Sequence, residues 1–227
     1  MTKRLTLAVV FTAVSSLYLA PHSIAEDSAS STAQLAEPDN EVGFVSIFDG
    51  TLNDWKKSDE NPDSWQAKDG MLICDGARCH LFYSGELAPL DDFHFKAEVK
   101  TTPGSNAGIY FHTKYQDKGW PKYGYECQVN ISHKDPKKTS SLYDVENVAD
   151  PGVDDDVWYT QEIIVRGNQI VLKVNGKTMV DYTEPDNKAA FSDRFERRLG
   201  EGTFALQAHD PKSKVYFRNL RVKKLDD

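Results

Sequence analysis

Residues 105–143 read SNAGIYFHTKYQDKGWPKYGYECQVNISHKDPKKTSSLY, and the fold and the site both start from this stretch. Two runs in it, Ala107–Thr113 and Tyr123–Ile131, alternate with period two, the pattern of half-buried strands. In the first, Ala107, Ile109 and Phe111 take one face, and Gly108, Tyr110 and His112 the other. In the second, Tyr125, Cys127, Val129 and Ile131 form an apolar face opposite Gly124, Glu126, Gln128 and Asn130. A sheet surface of Tyr, His, Glu, Gln and Asn, with glycines that leave room, is expected to be the floor of a polar site.

Working outward, the alternation continues. Phe93, Phe95, Ala97 and Val99 face in while His94, Lys96, Glu98 and Lys100 face out, which makes His94 an exposed strand residue. Phe44–Phe48 reads as a short strand closed by Asp49-Gly50. Trp65 opens a hairpin that turns at Asp69-Gly70 and returns over Met71–Cys74, and His80–Tyr83 follows. Trp158–Arg166, Ile170–Val174 and Lys177–Tyr182 form a meander whose turns are Gly167-Asn168 and Asn175-Gly176, the latter a strong two-residue hairpin signal. Residues 185–200 are polar, a short helix or a loop, and Thr203–His209 and Lys214–Val222 close the domain. About a dozen short strands with no long helical period predict an all-β sandwich or jelly roll.

The ends and the composition bound the function. Lys3 and Arg4, the apolar Leu5–Ala20 and the small residues Ser23-Ile24-Ala25 read as a signal peptide over residues 1–25, with an uncleaved anchor as the rival reading. Residues 26–42 are Ser/Ala-rich and acidic, a disordered leader, and residues 43–227 form the domain. An exported protein, periplasmic or extracellular, with no membrane attachment after cleavage, is expected. A formal charge of −8 with no basic run excludes nucleic acid as a partner. Cys74 and Cys79 flank a four-residue turn that could place them across a hairpin, as a disulfide or as free thiols; Cys127 reads as a buried free thiol. Asp154, Asp155 and Asp156 read as a solvated loop, since calcium-loop spacing is missing.

The order of motifs carries a resemblance. Gly43–Gly50 (GFVSIFDG) with Trp55 comes first, then Trp65–Leu72 with its Asp-Gly turn and Ser105–Ile109 (SNAGI). Gly124–Gln128 (GYECQ), Ser141–Tyr143 (SLY), Trp158, and Arg166-Gly-Asn with Asn175-Gly176 follow. Ala205–His209 (ALQAH) and Phe217–Arg221 (FRNLR) end the series. Together these resemble the 3-keto-disaccharide hydrolase domain family over about residues 43–225. The resemblance implies a concanavalin-A-like jelly roll of two antiparallel sheets with a sugar site on one face. It also implies cleavage of glycosides whose C3 hydroxyl is oxidised to a ketone, and a sugar 3-dehydrogenase acting upstream. It breaks at position 112, where an arginine is usual and this chain has His112.

Strand parity supplies site candidates independently. Gln207 and His209 share a face opposite Phe204, Leu206 and Ala208, so three strands present polar residues expected to converge on one cleft. Cleavage of a 3-keto-glycoside needs a base for C2–H, a stabiliser of the enolate and an acid for the leaving oxygen. Glu126, His112 and His209 are the catalytic candidates. Tyr110, Gln128, Asn130, Gln207, Trp120, Lys122, Lys138 and Tyr143 are candidates for binding substrate, with Lys122, Lys137 or Lys138 able to stabilise an enolate. No cofactor is required by this reading; a divalent metal held by His and Glu stays open, as does a non-catalytic carbohydrate-binding module. An ordinary glycosidase needs two carboxylates flanking the bond, and only loop acids such as Asp144 or Glu146 could supply the second.

Overall fold

The computed structural model describes residues 42–225; the expected signal peptide and most of the leader lie outside them. Thirteen strands are connected without any α-helix among the described residues, and none of those residues forms a helix able to cross a membrane. The larger sheet holds β1 (Val45–Ser46), β3 (Trp65–Lys68), β4 (Met71–Asp75), β6 (Phe93–Thr101), β9 (Tyr159–Arg166), β10 (Gln169–Val174), β11 (Lys177–Thr183) and β13 (Lys214–Lys224). The smaller holds β2 (Trp55–Lys57), β5 (Cys79–Tyr83), β7 (Asn106–Thr113), β8 (Tyr125–Asn130) and β12 (Thr203–Ala208), in the order β2-β5-β12-β7-β8. Every pairing is antiparallel, and the two sheets form the sandwich that the strand periods predict.

The inner faces are those the alternation assigns. Phe93, Phe95, Ala97 and Val99 from β6 and Ala107, Ile109 and Phe111 from β7 join Phe204, Leu206, Phe217 and Leu172 in one buried cluster. Each such Leu or Phe contributes about 1.5–3 kcal/mol through loss of apolar surface to water. Asp69-Gly70 and Asn175-Gly176 turn the β3–β4 and β10–β11 hairpins, where left-handed backbone is required at both central positions. Trp55 and Trp65 are in the core, whereas Trp158 is only half-buried and lies against Arg218, 4.1 Å from its guanidinium.

Three expectations change. Cys74 and Cys79 do not face each other across a hairpin: β4 pairs with β3 and β13 in the larger sheet, β5 with β2 and β12 in the smaller. The Asp75–Arg78 turn crosses between sheets, and both thiols are free and buried. The first strand shrinks to Val45–Ser46, while residues 185–200 are loop, one of the two forms expected of them. His94 is partly buried and bonded to Glu162 Oε2 at 2.8 Å rather than simply exposed.

Candidate active site

The outer face of the smaller sheet carries two cross-strand rows. Gln128, Gly108, Gln207 and His80 lie opposite one another across β8, β7, β12 and β5. Glu126, Tyr110, Ala205 and Phe82 form the next row. Loops rise around these rows and close a cleft of about 230 Å³, lined among others by Asn106, Tyr110, Trp120, Lys122, Glu126, Gln128, Tyr143, Asp144, Arg197, Gln207 and His209.

Glu126 is the centre. Tyr110 Oη donates to its Oε2 at 2.9 Å, and Gln207 Nε2 donates to its Oε1 at 2.9 Å and to Tyr110 Oη at 3.2 Å. The carboxylate lies flat over β7 because residue 108 is glycine: a Cβ there would stand 2.3 Å from Glu126 Oε1. Burial pushes the Glu126 carboxyl up to about 7, against the lowering pull of the Tyr110 and Gln207 hydrogen bonds and of Arg197. Burial and the neighbouring carboxylate raise the Tyr110 phenol well above its ordinary value, so Tyr110 is a neutral donor.

Around Glu126 the floor offers acceptors. Asn106 Oδ1, Gln128 Oε1 and Gln207 Oε1 are buried and bonded to no protein group. An unpaired buried acceptor costs about 1–3 kcal/mol; these oxygens lie beneath the surface of the floor, and a small turn of each amide toward the cleft would meet a ligand's hydroxyl donors. His209 stands at one wall with Nδ1 turned to Asp210 Oδ2 at 2.9 Å. A carboxylate can only accept, which puts the hydrogen on Nδ1 and leaves Nε2 as the ring nitrogen a ligand can use. His133 stands 5.7 Å from it, ring to ring; its Nδ1 accepts from the Asp135 backbone N–H at 3.2 Å.

Two cations border the cleft. Arg197 donates to the Tyr143 carbonyl at 3.0 Å and pairs with Asp144 at 2.8 Å, and its guanidinium lies 4.1 Å from the Phe191 ring. Lys122 is fixed through its backbone, which bonds Gln116 Oε1 and the Glu196 N–H. Among the described residues no group of three or more His, Cys, Asp or Glu side chains is placed to hold a metal ion.

The candidates thus divide. Glu126, His209, Tyr110, Gln128, Gln207, Trp120, Lys122 and Tyr143 all line one cleft. His112 does not. It has left-handed backbone (φ 53°) where β7 and β12 slip register, so period two fails there. Its ring is buried against Phe93, with Nε2 bonded to the Asp91 carbonyl at 2.7 Å and its pKa lowered by burial. Asn130 clamps the following loop through the Asp135 and Lys137 carbonyls, at 2.9 and 2.8 Å. Lys138 Nζ is bonded to the His133 carbonyl at 2.7 Å, and Lys137 pairs with Asp144. Sequence reasoning missed Asn106, Asp210 and Arg197. Asn106 had a signal, since it shares parity with Gly108 and Tyr110; Asp210 directly follows His209. Arg197 sits in a loop without period and had none.

Known proteins give the arrangement a context. The sequence model of the 3-keto-alpha-glucoside-1,2-lyase-like domain matches residues 43–223. No curated protein sequence matches the chain. The fold is similar to a crystal structure assigned as a glycosyl hydrolase from Parabacteroides distasonis, at 20% identity and TM-score 0.68 over 81% of this chain and 94% of that one. It is also similar to the carbohydrate-binding module CBM66 from Bacillus subtilis, at 12% identity and TM-score 0.53 over 75% and 96% of the two chains. The mannose-oligosaccharide-bound lumenal domain of VIP36 matches at 10% identity and TM-score 0.53, over 78% and 87%. These likenesses show the jelly-roll fold.

Proposed function

The chain belongs to the 3-keto-alpha-glucoside-1,2-lyase-like family, and from that premise we propose that it cleaves 3-keto-glycosides by elimination followed by hydration. The observation that carries the proposal is the cleft's half-buried carboxyl, Glu126, held by Tyr110 and Gln207, set among unpaired amide acceptors and pushed up to about 7 by desolvation. A general base works best when its pKa lies near the working pH.

The C3 ketone acidifies the hydrogen on C2. Glu126 takes that proton, and the electron pair moves into the enolate, whose oxygen Lys122 or Arg197 stabilises. The enolate collapses, the C1–O bond breaks, and His209 as imidazolium protonates the departing oxygen. The enone that remains is hydrated in reverse: His209 Nε2 takes a proton from the water attacking C1, and Glu126 returns its proton to C2. Atoms balance as one water consumed per glycoside, and both side chains end as they began. Asp210 orients the imidazole, and Asn106, Gln128 and Gln207 receive the sugar hydroxyls. A sugar 3-dehydrogenase in the same compartment would make the substrate, and residues 1–25 would direct the chain there, to the periplasm or beyond.

The test is release of a chromogenic aglycone from a 3-keto-glucoside. The low-pH limb of kcat/KM is expected to rise with pH through about 7, as Glu126 of the free enzyme loses its proton. A binding module without chemistry, the reading favoured by the CBM66 and VIP36 likenesses, predicts sugar binding and no release from either anomer. A second check uses Gly108→Ala. The new methyl meets the movable end of Glu126 rather than backbone, so the chain is expected to fold with a near-parental Tm. The displaced carboxylate should then cost about 10–100-fold in kcat, within the range for a mispositioned group. A parental kcat would remove Glu126 from the base role.

A further inference from the structure

A second hollow opens beside the cleft, sharing Trp120, Lys122 and Phe195 with it and adding Arg78, Gly119 and Arg194. Its walls are built rather than loose. Gln116 Nε2 donates to the Lys118 and Trp120 carbonyls at 2.6 and 2.9 Å, while its Oε1 accepts from the Lys122 N–H at 3.2 Å. Glu60 accepts from the Gly119 N–H at 2.9 Å and grips Arg78, 2.6 Å from Nη2. The loop that carries Trp120 is therefore set before any ligand arrives.

The charge here runs against the rest of the molecule. The chain carries a formal −8, yet this hollow gathers three cations. Glu60 neutralises Arg78; among the described residues neither Lys122 nor Arg194 has a carboxylate within ion-pair distance. The hollow is also not a platform for a neutral sugar ring, because the Arg78 guanidinium already lies over the Trp120 ring at 4.7 Å. What faces a ligand here is positive charge on a fixed frame with one apolar side, Phe195.

We propose that this hollow is a subsite for an anionic group, a carboxylate, sulfate or phosphate, carried on the part of the glycoside that extends beyond the ring above Glu126. The inference rests on the catalytic reading of the cleft for its ligand, and it narrows that reading to glycosides with an acidic second moiety. Guanidinium and ammonium donors bind such oxyanions through charge-assisted hydrogen bonds. Arg194 is exposed and lies outside the catalytic cleft, so it reports on the subsite alone.

The experiment uses matched aryl 3-keto-glucosides: a nitrophenyl aglycone bearing a carboxylate against its amide, and one bearing a sulfonate against its sulfonamide. Binding is measured by calorimetry on the full chain carrying Glu126→Gln, and kcat/KM on the parent. The anionic member of a pair should bind about ten-fold tighter at low salt, with the preference shrinking as salt rises. Arg194→Gln should remove most of that preference and leave the neutral member unchanged. The two pairs tell a carboxylate subsite from one for sulfate-like anions. Lack of preference in both pairs, or a preference that survives Arg194→Gln, overturns the proposal. Preference without turnover would leave the subsite standing and remove the hydrolase reading instead.

Discussion

Glu126→Gln is expected to lower kcat for a 3-keto-glucoside by about 10²–10⁴-fold, the range for losing a positioned acid–base group, while substrate affinity changes by only a few fold. The argument is one of shape against charge. Glutamine fills the same volume over Gly108, and its carbonyl oxygen can accept the Tyr110 hydrogen bond that Glu126 Oε2 receives at 2.9 Å. Its amide nitrogen would meet Gln207 Nε2, but Gln207 Oε1 has no partner, so a turn of that amide presents an acceptor to the new donor. Gln207 Oε1 is then taken up by the new amide, Asn106 and Gln128 remain to receive sugar hydroxyls, and the proton acceptor is lost, which is why affinity changes a few fold while the rate collapses. Single-turnover rates beside calorimetric binding decide the matter: loss of both together would mean that Glu126 mainly binds, and loss of neither would end its catalytic assignment.

The same substitution has a stability signature. The Glu126 pKa is raised from 4.5 to about 7 in the folded chain, so the folded state holds the proton more tightly than the unfolded one. The stabilisation from that proton is fully present below about pH 4.5 and is lost as pH rises through about 7. The glutamine variant has no such loss. Relative to the parent, its stability should therefore climb between those pH values and level off above them, each pKa unit being worth about 1.4 kcal/mol. Urea unfolding of both proteins at pH 5 and pH 8 measures the difference, and a flat difference would show that burial does not hold the carboxyl protonated.

How far this site could be read in the chain depends on the strand period. Glu126, Gln128, Tyr110, Gln207 and His209 were placed on one face by alternation alone, because a strand inside a sandwich has one buried side and period two leaves no freedom. The same rule misplaced His112, since alternation assumes an unbroken ladder. The register shift beside Thr203 and the left-handed backbone at residue 112 break it, and no feature of Phe111-His112-Thr113 announces a shift. The two cysteines show a second limit. A turn of four residues looks like a hairpin, yet Asp75–Arg78 carries the chain from one sheet to the other, which is a property of the long-range partners of β4 and β5. Arg197 marks a third: loop residues reach a site through tertiary bonds, here to Tyr143 and Asp144, that no local pattern encodes.

Gly124→Ala should cost the fold most among single-methyl changes near the cleft, roughly 3 kcal/mol or more, lowering Tm by about 10 °C for a domain of this size. Two effects add. Gly124 has left-handed backbone (φ 72°), which alone costs a non-glycine residue about 1–2 kcal/mol. A Cβ at 124 would also stand 1.9 Å from the Phe111 carbonyl oxygen and 2.8 Å from that of His112, and these are backbone atoms that cannot rotate away. Gly202 closes on the same segment from the other side, 2.4 Å from the Thr113 carbonyl oxygen if given a Cβ. The end of β7 is held between two glycines, so relief requires strand separation within the sheet that carries Glu126. Gly152→Ala is the control: it has the same kind of backbone (φ 68°) and nothing within 4 Å of its Cβ, so it should lose only the conformational part, about 1–2 kcal/mol. Equal melting temperatures for the two variants would mean that β7 and its neighbours yield easily around Gly124. A gap of several degrees would place the rigidity of the cleft floor in the close approach of those backbones.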